Sequence, residues 1–296
     1  IHYNFSLPNA FWALLHREQN SIQDLQDFKD EQYFKLIRNF RRHYWLLIYL
    51  FGASPALCKS FVGGKAHKLQ EMSDGHSLYL PYATSLRMGD LGYQSKVQES
   101  LYICYNSKSD YINTLCKAIT QSHPSYEAIG VKDSAGHYKQ LNTCILQIEN
   151  EFYSAIRPKR TARYGETALA ALSNRGVEYI EVRCLDVNPF NPYGIDEEQV
   201  RFLDTFLLFC ALQDSPDTSR EESEKILRNQ KQVVNVGRKP NITLDHQEYG
   251  SVPLQHWGMS LIENMQALAD LLDSNHGGDK HRASLEAQKH KLTDSS

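Results

Sequence analysis

The chain has 296 residues, 41% of them hydrophobic, and a formal net charge of −3. That is enough apolar material for a substantial core in one large or two ordinary domains, and there is no basic excess to attract nucleic acid. The longest apolar run, residues 45–53, is far too short to cross a bilayer, so no membrane segment is expected.

Residues 1–7 alternate as a strand does, with Tyr3, Phe5 and Leu7 on one face and His2, Asn4 and Ser6 on the other. Pro8 ends that strand, and Asn9 is placed as the cap of a short helix over 10–17. His2 reads as a surface histidine or, given partners elsewhere, as a metal ligand. Residues 22–51 read as mostly helix, the long part starting near Asp30, with Phe34, Ile37, Phe40, Tyr44, Leu47 and Ile48 at helical spacing. Gly52 and Pro55 stop it. The stripe is a core face rather than a cofactor contact, and Arg38, Arg41 and Arg42 are assigned to its solvated side. Gly63-Gly64-Lys65 lacks the spacing of a phosphate loop and is read as plain loop.

Residues 78–93 contain Pro81, Gly89 and Gly92, which argue for irregular backbone. Arg87 in that stretch could pair a small carboxylate through its planar fork, or be an ordinary surface arginine. A short strand is expected over 101–103 and a helix over 110–121. Residues 142–153 read as a third alternating strand, with Gln147, Glu149, Glu151 and Tyr153 on one face. The cationic run Arg157-Pro158-Lys159-Arg160 follows, suited to phosphate or to surface solubility. A helix over 168–174 leads into the strand 176–183. Its back carries Ile180, Val182 and Cys184; its front carries Tyr179, Glu181 and Arg183. Such a strand is either a site wall or one with a simply solvated face. Further helices begin at Asp196 and at Thr218 or Ser219, and one spans 260–272. From 274 the chain is polar, and that tail is read as a solvated helix or as frayed.

The six cysteines (Cys58, Cys104, Cys116, Cys144, Cys184 and Cys210) are widely spread without a CxxC pair. Free buried thiols in a reducing compartment are the expectation. The chain begins at Ile1 inside an expected strand, so a fragment is expected.

If the three strands share a sheet, then His2, Glu149 or Glu151, Glu181 and Arg183 collect on one surface. Carboxylates hold Mg²⁺ through hard oxygens together with substrate phosphates. An arginine beside them meets the charge of a phosphoryl group in transfer. An ATP-dependent ligase needs this set of groups.

Five motifs occur in order along the chain: His2-Tyr3-Asn4-Phe5-Ser6-Leu7-Pro8; Phe51-Gly52-Ala53-Ser54-Pro55-Ala56; Leu80-Pro81-Tyr82-Ala83-Thr84-Ser85-Leu86-Arg87 with Asp90-Leu91-Gly92-Tyr93; Leu146-Gln147-Ile148-Glu149-Asn150-Glu151 with Ile156-Arg157-Pro158-Lys159-Arg160; and Glu178-Tyr179-Ile180-Glu181-Val182-Arg183. Together they resemble the bacterial glutamate–cysteine ligase family. The resemblance implies ATP-dependent joining of the γ-carboxyl of L-glutamate to the amine of L-cysteine through a γ-glutamyl phosphate, the first step of glutathione synthesis. It implies an α+β fold similar to glutamine synthetase, a curved antiparallel sheet forming a funnel surrounded by helices. His2 and Glu181 would ligate Mg²⁺, with Mn²⁺ as the alternative. Arg183 would act at the γ-phosphate of ATP and at the phosphorylated intermediate, with Arg157 a further phosphate contact. Arg87 would hold a substrate carboxylate, and Tyr93 and Tyr153 would line the cysteine side-chain pocket. A cytoplasmic monomer is implied. Family members begin before the His2 motif and continue past the tail. Residues 1–273 are therefore expected to form one incomplete catalytic domain, 274–296 a truncated polar tail, and the piece alone to be inactive or impaired. A related carboxylate–amine ligase with another acceptor, and a non-catalytic substrate-binding module, remain open readings.

Overall fold

The strand with the Glu/Arg front lies at the centre of a three-stranded antiparallel sheet whose neighbours come from distant parts of the chain. The computed structural model describes residues 1–63, 66–91, 97 and 101–293. In chain order the elements are β1 (Tyr3–Phe5), α1 (Asn9–Glu18), α2 (Leu25–His43), α3 (Trp45–Phe51), β2 (Ala56–Cys58), α4 (Lys59–Val62), β3 (Gln70–Glu71), β4 (Ser77–Tyr79), α5 (Lys108–Thr120) and α6 (Pro124–Ile129). There follow β5 (Ile156–Lys159), α7 (Ala168–Arg175), β6 (Tyr179–Val182), α8 (Glu197–Leu212), α9 (Arg220–Val236), β7 (Thr243–His246), β8 (Gly250–Pro253), α10 (Leu254–His276) and α11 (Lys280–Thr293). The site sheet runs β1-β6-β5; β2-β4-β3 and the β7-β8 hairpin are separate. The chain thus adopts the expected α+β class, helices packed around small antiparallel sheets.

The core is the aromatic stripe. Phe34, Ile37, Phe40, Leu47 and Ile48 of α2 and α3 pack with Phe202, Leu203, Phe206 and Leu207 of α8, all buried. Removing each such side chain from water contributes about 1.5–3 kcal/mol. The sheet's back joins this core through Ile180 and Val182. Tyr33 of α2 ties two strands to it, its hydroxyl donating to Glu178 O (3.2 Å) and accepting from Leu7 N (3.4 Å).

β6 begins against a buried carboxylate. Asp30 of α2 accepts from Val177 N (2.7 Å) and Gln26 Nε2 (2.9 Å), and its second oxygen meets Lys108 Nζ at 2.5 Å. The preceding Gly176 has φ of 71°, and a Cβ there would lie 2.5 Å from Asp30 Oδ1. Only glycine meets both demands without strain.

Several expectations fail, each for a local physical reason. Residues 142–153 form no strand. Asn142 accepts from Cys144 N (2.9 Å) and donates to Gln147 O (2.9 Å), while Glu151 accepts from Gln147 N (2.6 Å). Side chains that satisfy the main chain locally remove the need for a ladder. The stretch ends in a 3₁₀ turn over Glu149–Glu151. The third strand of the sheet is instead β5, the cationic run itself; its Pro158 is tolerated because β5 is an edge strand. Residues 101–103 are also irregular.

The helix starts shift as well. Pro8, not Asn9, precedes α1, and α2 is capped by Asp24, which accepts from Gln26 N at 2.8 Å, with Asp30 inside the helix. Arg38 and Arg42 are not solvated. Arg38 is buried and donates to Asn106 O (2.5 Å) and Ser215 O (2.9 Å), and Arg42 pairs with Glu222 at 2.7 Å. Arg41 lies over the Tyr105 ring at 4.4 Å. Irregular segments beside a helix leave carbonyls that need donors, and these arginines supply them. The helices opening at Asp196 and Ser219 are capped there. All six cysteines are free; Cys184 and Cys210 are buried, while Cys58 is exposed, against the expectation of burial.

The polar tail contains α11, which packs on α8 and α10 with His281, Ser284, Leu285, Gln288 and Leu292 buried. Its start is held by buried Asp273, which accepts from His281 N (2.9 Å), from Arg282 N (3.0 Å) and lies 2.8 Å from His281 Nδ1. Burial works against the charge of Asp273, but the bonds from Arg282 and His281 outweigh it and pull its carboxyl down to about 2.

Gly176→Ala is expected to destabilise the fold by about 1–2 kcal/mol from the left-handed backbone alone. An unchanged urea midpoint would remove that constraint. Asp273, with a folded pKa below its unfolded one, contributes stability above about pH 4 that is lost as pH falls toward 2. The stability gap between wild type and Asp273→Asn should therefore close over that window in acid denaturation; a gap constant with pH would contradict it.

Candidate functional site

Alternation along β6 decides which side chains can meet a ligand. Ile180 and Val182 point into the core, so Glu181 and the following Arg183 lie on the opposite face. Register then sets the neighbours: Asn4 of β1 and Arg157 of β5 are both directly opposite Glu181. Directly paired residues share a face.

His2, just ahead of β1, completes the front. Its Nδ1 is 3.3 Å from Glu181 Oε1, and its Nε2 is 3.4 Å from Arg183 Nε. The tautomer with its proton on Nδ1 satisfies both contacts, donating to the carboxylate and accepting from the guanidinium. Arg183 Nε is also 3.8 Å from Glu181 Oε2. The expected trio of His2, Glu181 and Arg183 is thus in mutual contact.

Two guanidinium atoms on this front, Arg183 Nη1 and Arg157 Nε, are buried with no acceptor among the described residues. Arg157 is itself buried and donates from Nη2 to Asn150 O (3.2 Å). Burial first, and then the neighbouring Arg183, push the Arg157 pKa down. Two arginines facing one carboxylate leave excess positive charge, and buried N–H groups without acceptors are costly. Both features suit an anion with several oxygens.

Glu149 and Glu151 do not lie on a strand of this sheet. Glu149 accepts from Leu169 N (2.9 Å) at the start of α7, and Glu151 serves Gln147 N as above. Neither alternation nor composition could separate these capping carboxylates from Glu181.

A metal ion can be tested against the donors present. Glu181 and His2 offer one carboxylate and one imidazole nitrogen, and both turn acceptor atoms toward the Arg183 cation. No group of three or more His, Cys, Asp or Glu fit for a metal occurs among the described residues. The pair fits Mg²⁺ as a partial set, since that ion keeps waters and takes substrate phosphates alongside one or two carboxylates. The imidazole is better matched to a softer ion than Mg²⁺.

On the other side of Arg183 is Arg87, in the 3₁₀ turn Leu86–Met88 of the irregular stretch. Its Nε donates to Asp186 Oδ1 (2.7 Å), its Nη1 to the Tyr153 hydroxyl (2.8 Å), and Nη1 and Nη2 both reach Arg183 O (3.3 Å each). Burial works against the Arg87 charge, but the Asp186 bond outweighs it and raises the pKa. Tyr153 also touches Met88 Sδ (3.3 Å), and the Arg183 guanidinium lies 5.2 Å from its ring centre. Burial drives the Tyr153 phenol pKa up, against the pull of Arg87. Arg87, Tyr153 and Arg183 are therefore one connected group. A cavity of about 370 Å³ has Met88, Tyr153, Tyr44, Tyr105 and Gln230 in its wall. Tyr93 lies outside the described residues. Asp186 was missed by sequence reasoning; its position in a turn-rich exit carried no signal of its partners.

Comparison with known proteins gives one family. A family model described as glutamate–cysteine ligase matches residues 1–233. A glutamate–cysteine ligase from Saccharophagus degradans is 65% identical over 288 residues, which is 97% of this chain and 54% of the relative. One from Pseudomonas putida is 51% identical over 296 residues, covering 100% of this chain and 56% of the relative. The crystal structure of a glutamate–cysteine ligase from Francisella tularensis in complex with AMP superposes with a TM-score of 0.88 at 36% identity, covering 99% of this chain and 56% of that one. The chain thus spans just over half the length of these relatives.

The acceptor-less arginine atoms lead to a direct expectation. Arg157→Ala and Arg183→Ala should each weaken binding of inorganic tripolyphosphate by about 10- to 100-fold, the worth of a charge-assisted hydrogen bond. Calorimetry showing unchanged affinity in both would exclude an anion site on this face.

Proposed function

Since the chain belongs to the glutamate–cysteine ligase family, we propose that in the full-length protein it forms the core of an enzyme that joins the γ-carboxyl of L-glutamate to the amine of L-cysteine with hydrolysis of ATP. This is the first step of glutathione synthesis. The observation that carries the reading is the contact of a phosphate-suited group (His2, Glu181, Arg183, Arg157) with a carboxylate-suited group (Arg87, Tyr153) around the end of β6. A ligase of this kind must hold a phosphoryl donor and an amino acid side by side.

The γ-carboxylate of glutamate attacks the γ-phosphorus of ATP, and ADP leaves. The amine of cysteine then attacks the acyl phosphate, and inorganic phosphate leaves. In this scheme Arg183 and Arg157 direct their spare N–H groups at the phosphoryl oxygens, where negative charge grows during transfer. His2 and Glu181 would hold Mg²⁺, or Mn²⁺ in its place, which would supply neutralisation of the phosphate charge. Arg87 holds a substrate carboxylate through the N–H capacity left by its fixed bonds, and Tyr153, joined by Tyr93, lines the acceptor's side-chain pocket. The AMP in the Francisella tularensis relative supports the adenine nucleotide. The reaction uses ATP and a cysteine whose thiol stays reduced, which supports a cytoplasmic enzyme acting as a monomer.

The full-length protein, given ATP, Mg²⁺, L-glutamate and L-cysteine, should form γ-glutamylcysteine and ADP in equal amounts. Absence of the dipeptide with these substrates sinks the proposal, and a preference for 2-aminobutyrate or glycine would reassign the acceptor. Glu181→Gln is expected to lower metal affinity and turnover together, by about 10-fold or more; metal titration with unchanged midpoint and rate would take Glu181 out of this role.

A further inference from the structure

Asp186 is a buried carboxylate with three donors, and none of the roles above includes it. Its Oδ2 accepts from Ala53 N (2.9 Å) and from Ser54 Oγ (2.7 Å); its Oδ1 accepts from Arg87 Nε (2.7 Å). Its side chain is only 4% exposed. The donors come from places far apart in sequence, the turn after α3 and the irregular stretch holding Arg87. The motif around residues 51–56 thereby acquires a purpose. Gly52 allows close approach, since a Cβ there would lie 2.8 Å from Thr84 O. Ser54 N in turn donates to Thr84 O (3.2 Å), and Leu86 N to Ser54 O (2.7 Å). The turn is therefore bonded to the segment that carries Arg87 and also holds the carboxylate that Arg87 binds.

Nε is the guanidinium nitrogen nearest the chain. A bond there fixes the plane of the fork while leaving the terminal nitrogens for Tyr153, for Arg183 O and, through the remaining N–H of Nη2, for a ligand. With Oδ2 committed to Ala53 and Ser54, Asp186 cannot turn away from Arg87 without breaking two other bonds. We propose that Asp186 is the positioning residue for Arg87: seated on Ala53 and Ser54, it aims the Arg87 fork so that its terminal nitrogens meet the Tyr153 hydroxyl and the substrate carboxylate. The proposal deepens the ligase reading and rests on it for the identity of that carboxylate.

The test uses the full-length protein. Asp186→Asn is expected to raise the KM of the same amino-acid substrate that Arg87→Lys raises, by about 10-fold or more. The KM for ATP should stay within about twofold, because the phosphate-facing arginines are untouched. In the Arg87→Lys background, Asp186→Asn should add nothing further to that KM, since it acts only through Arg87. Ser54→Ala, which removes one of the three donors, should shift the same KM in the same direction by less. A role confined to stability would instead lower the melting temperature and the active fraction, with all KM values unchanged. That result, an equal rise in the ATP KM, or additive effects in the double variant, overturns the proposal. A second readout needs no turnover. The ¹⁵Nε–H signal of Arg87 should be protected from solvent exchange in the wild type and lose that protection in Asp186→Asn; equal protection in both also overturns it. The wild-type assay keeps the two readings apart. No γ-glutamylcysteine from the wild type sinks the ligase reading and leaves Asp186 to the exchange measurement. Normal wild-type turnover without the KM pattern sinks the role of Asp186 alone.

Discussion

A strand of four residues cannot fix its own position, and this fold clamps β6 at both ends with buried carboxylates. At the start, Asp30 takes Val177 N and is charge-matched by Lys108. Past the end, Asp186 takes Ala53 N, Ser54 Oγ and Arg87 Nε. Each clamp binds the strand to a different layer, α2 on one side and the loop segments around 53 and 87 on the other. A buried carboxylate left unpaired is costly, so each clamp is stable only with all its donors in place. Glu181 and Arg183 inherit their placement from this arrangement.

The electrostatics of the front follow from that placement. Glu181 sits between Arg183 and Arg157, so one negative charge faces two positive ones. The Arg87 charge is already answered by Asp186. The two arginines of the sheet keep uncompensated charge, and each also has a buried N–H group without an acceptor among the described residues. Unsatisfied donors and uncompensated charge therefore coincide at this spot.

The candidate site is divided between rigid and irregular elements. The sheet and its immediate ends supply His2, Glu181, Arg183 and Arg157, backed by a helical core. The stretch around Leu86–Met88 supplies Arg87, and the segment before β5 supplies Tyr153. Loops can carry such groups only when something rigid holds them. Here the holding is done by hydrogen bonds to Asp186 and to the main chain of Arg183.

Sequence alone determined the parts whose physics is local. Period-two alternation exposed Glu181 and Arg183 opposite Ile180 and Val182, helical spacing marked the aromatic core of α2 and α3, and Asp196 and the Thr218-Ser219 pair announced the helices that Asp196 and Ser219 cap. The ordered motifs identified the family, because many short matches in sequence are specific where one is not. Tertiary structure decided what depends on distant partners. Arg38 and Arg42 look solvated until the 215–222 segment is seen to need their donors. Residues 142–153 alternate as a strand would, yet their own Asn and Glu side chains satisfy the backbone first, and the cationic run after them takes the sheet edge. The role of Asp186 was invisible for the same reason: a carboxylate's purpose lies in its donors, and these are 99 and more than 130 residues away along the chain but within 3 Å in the fold.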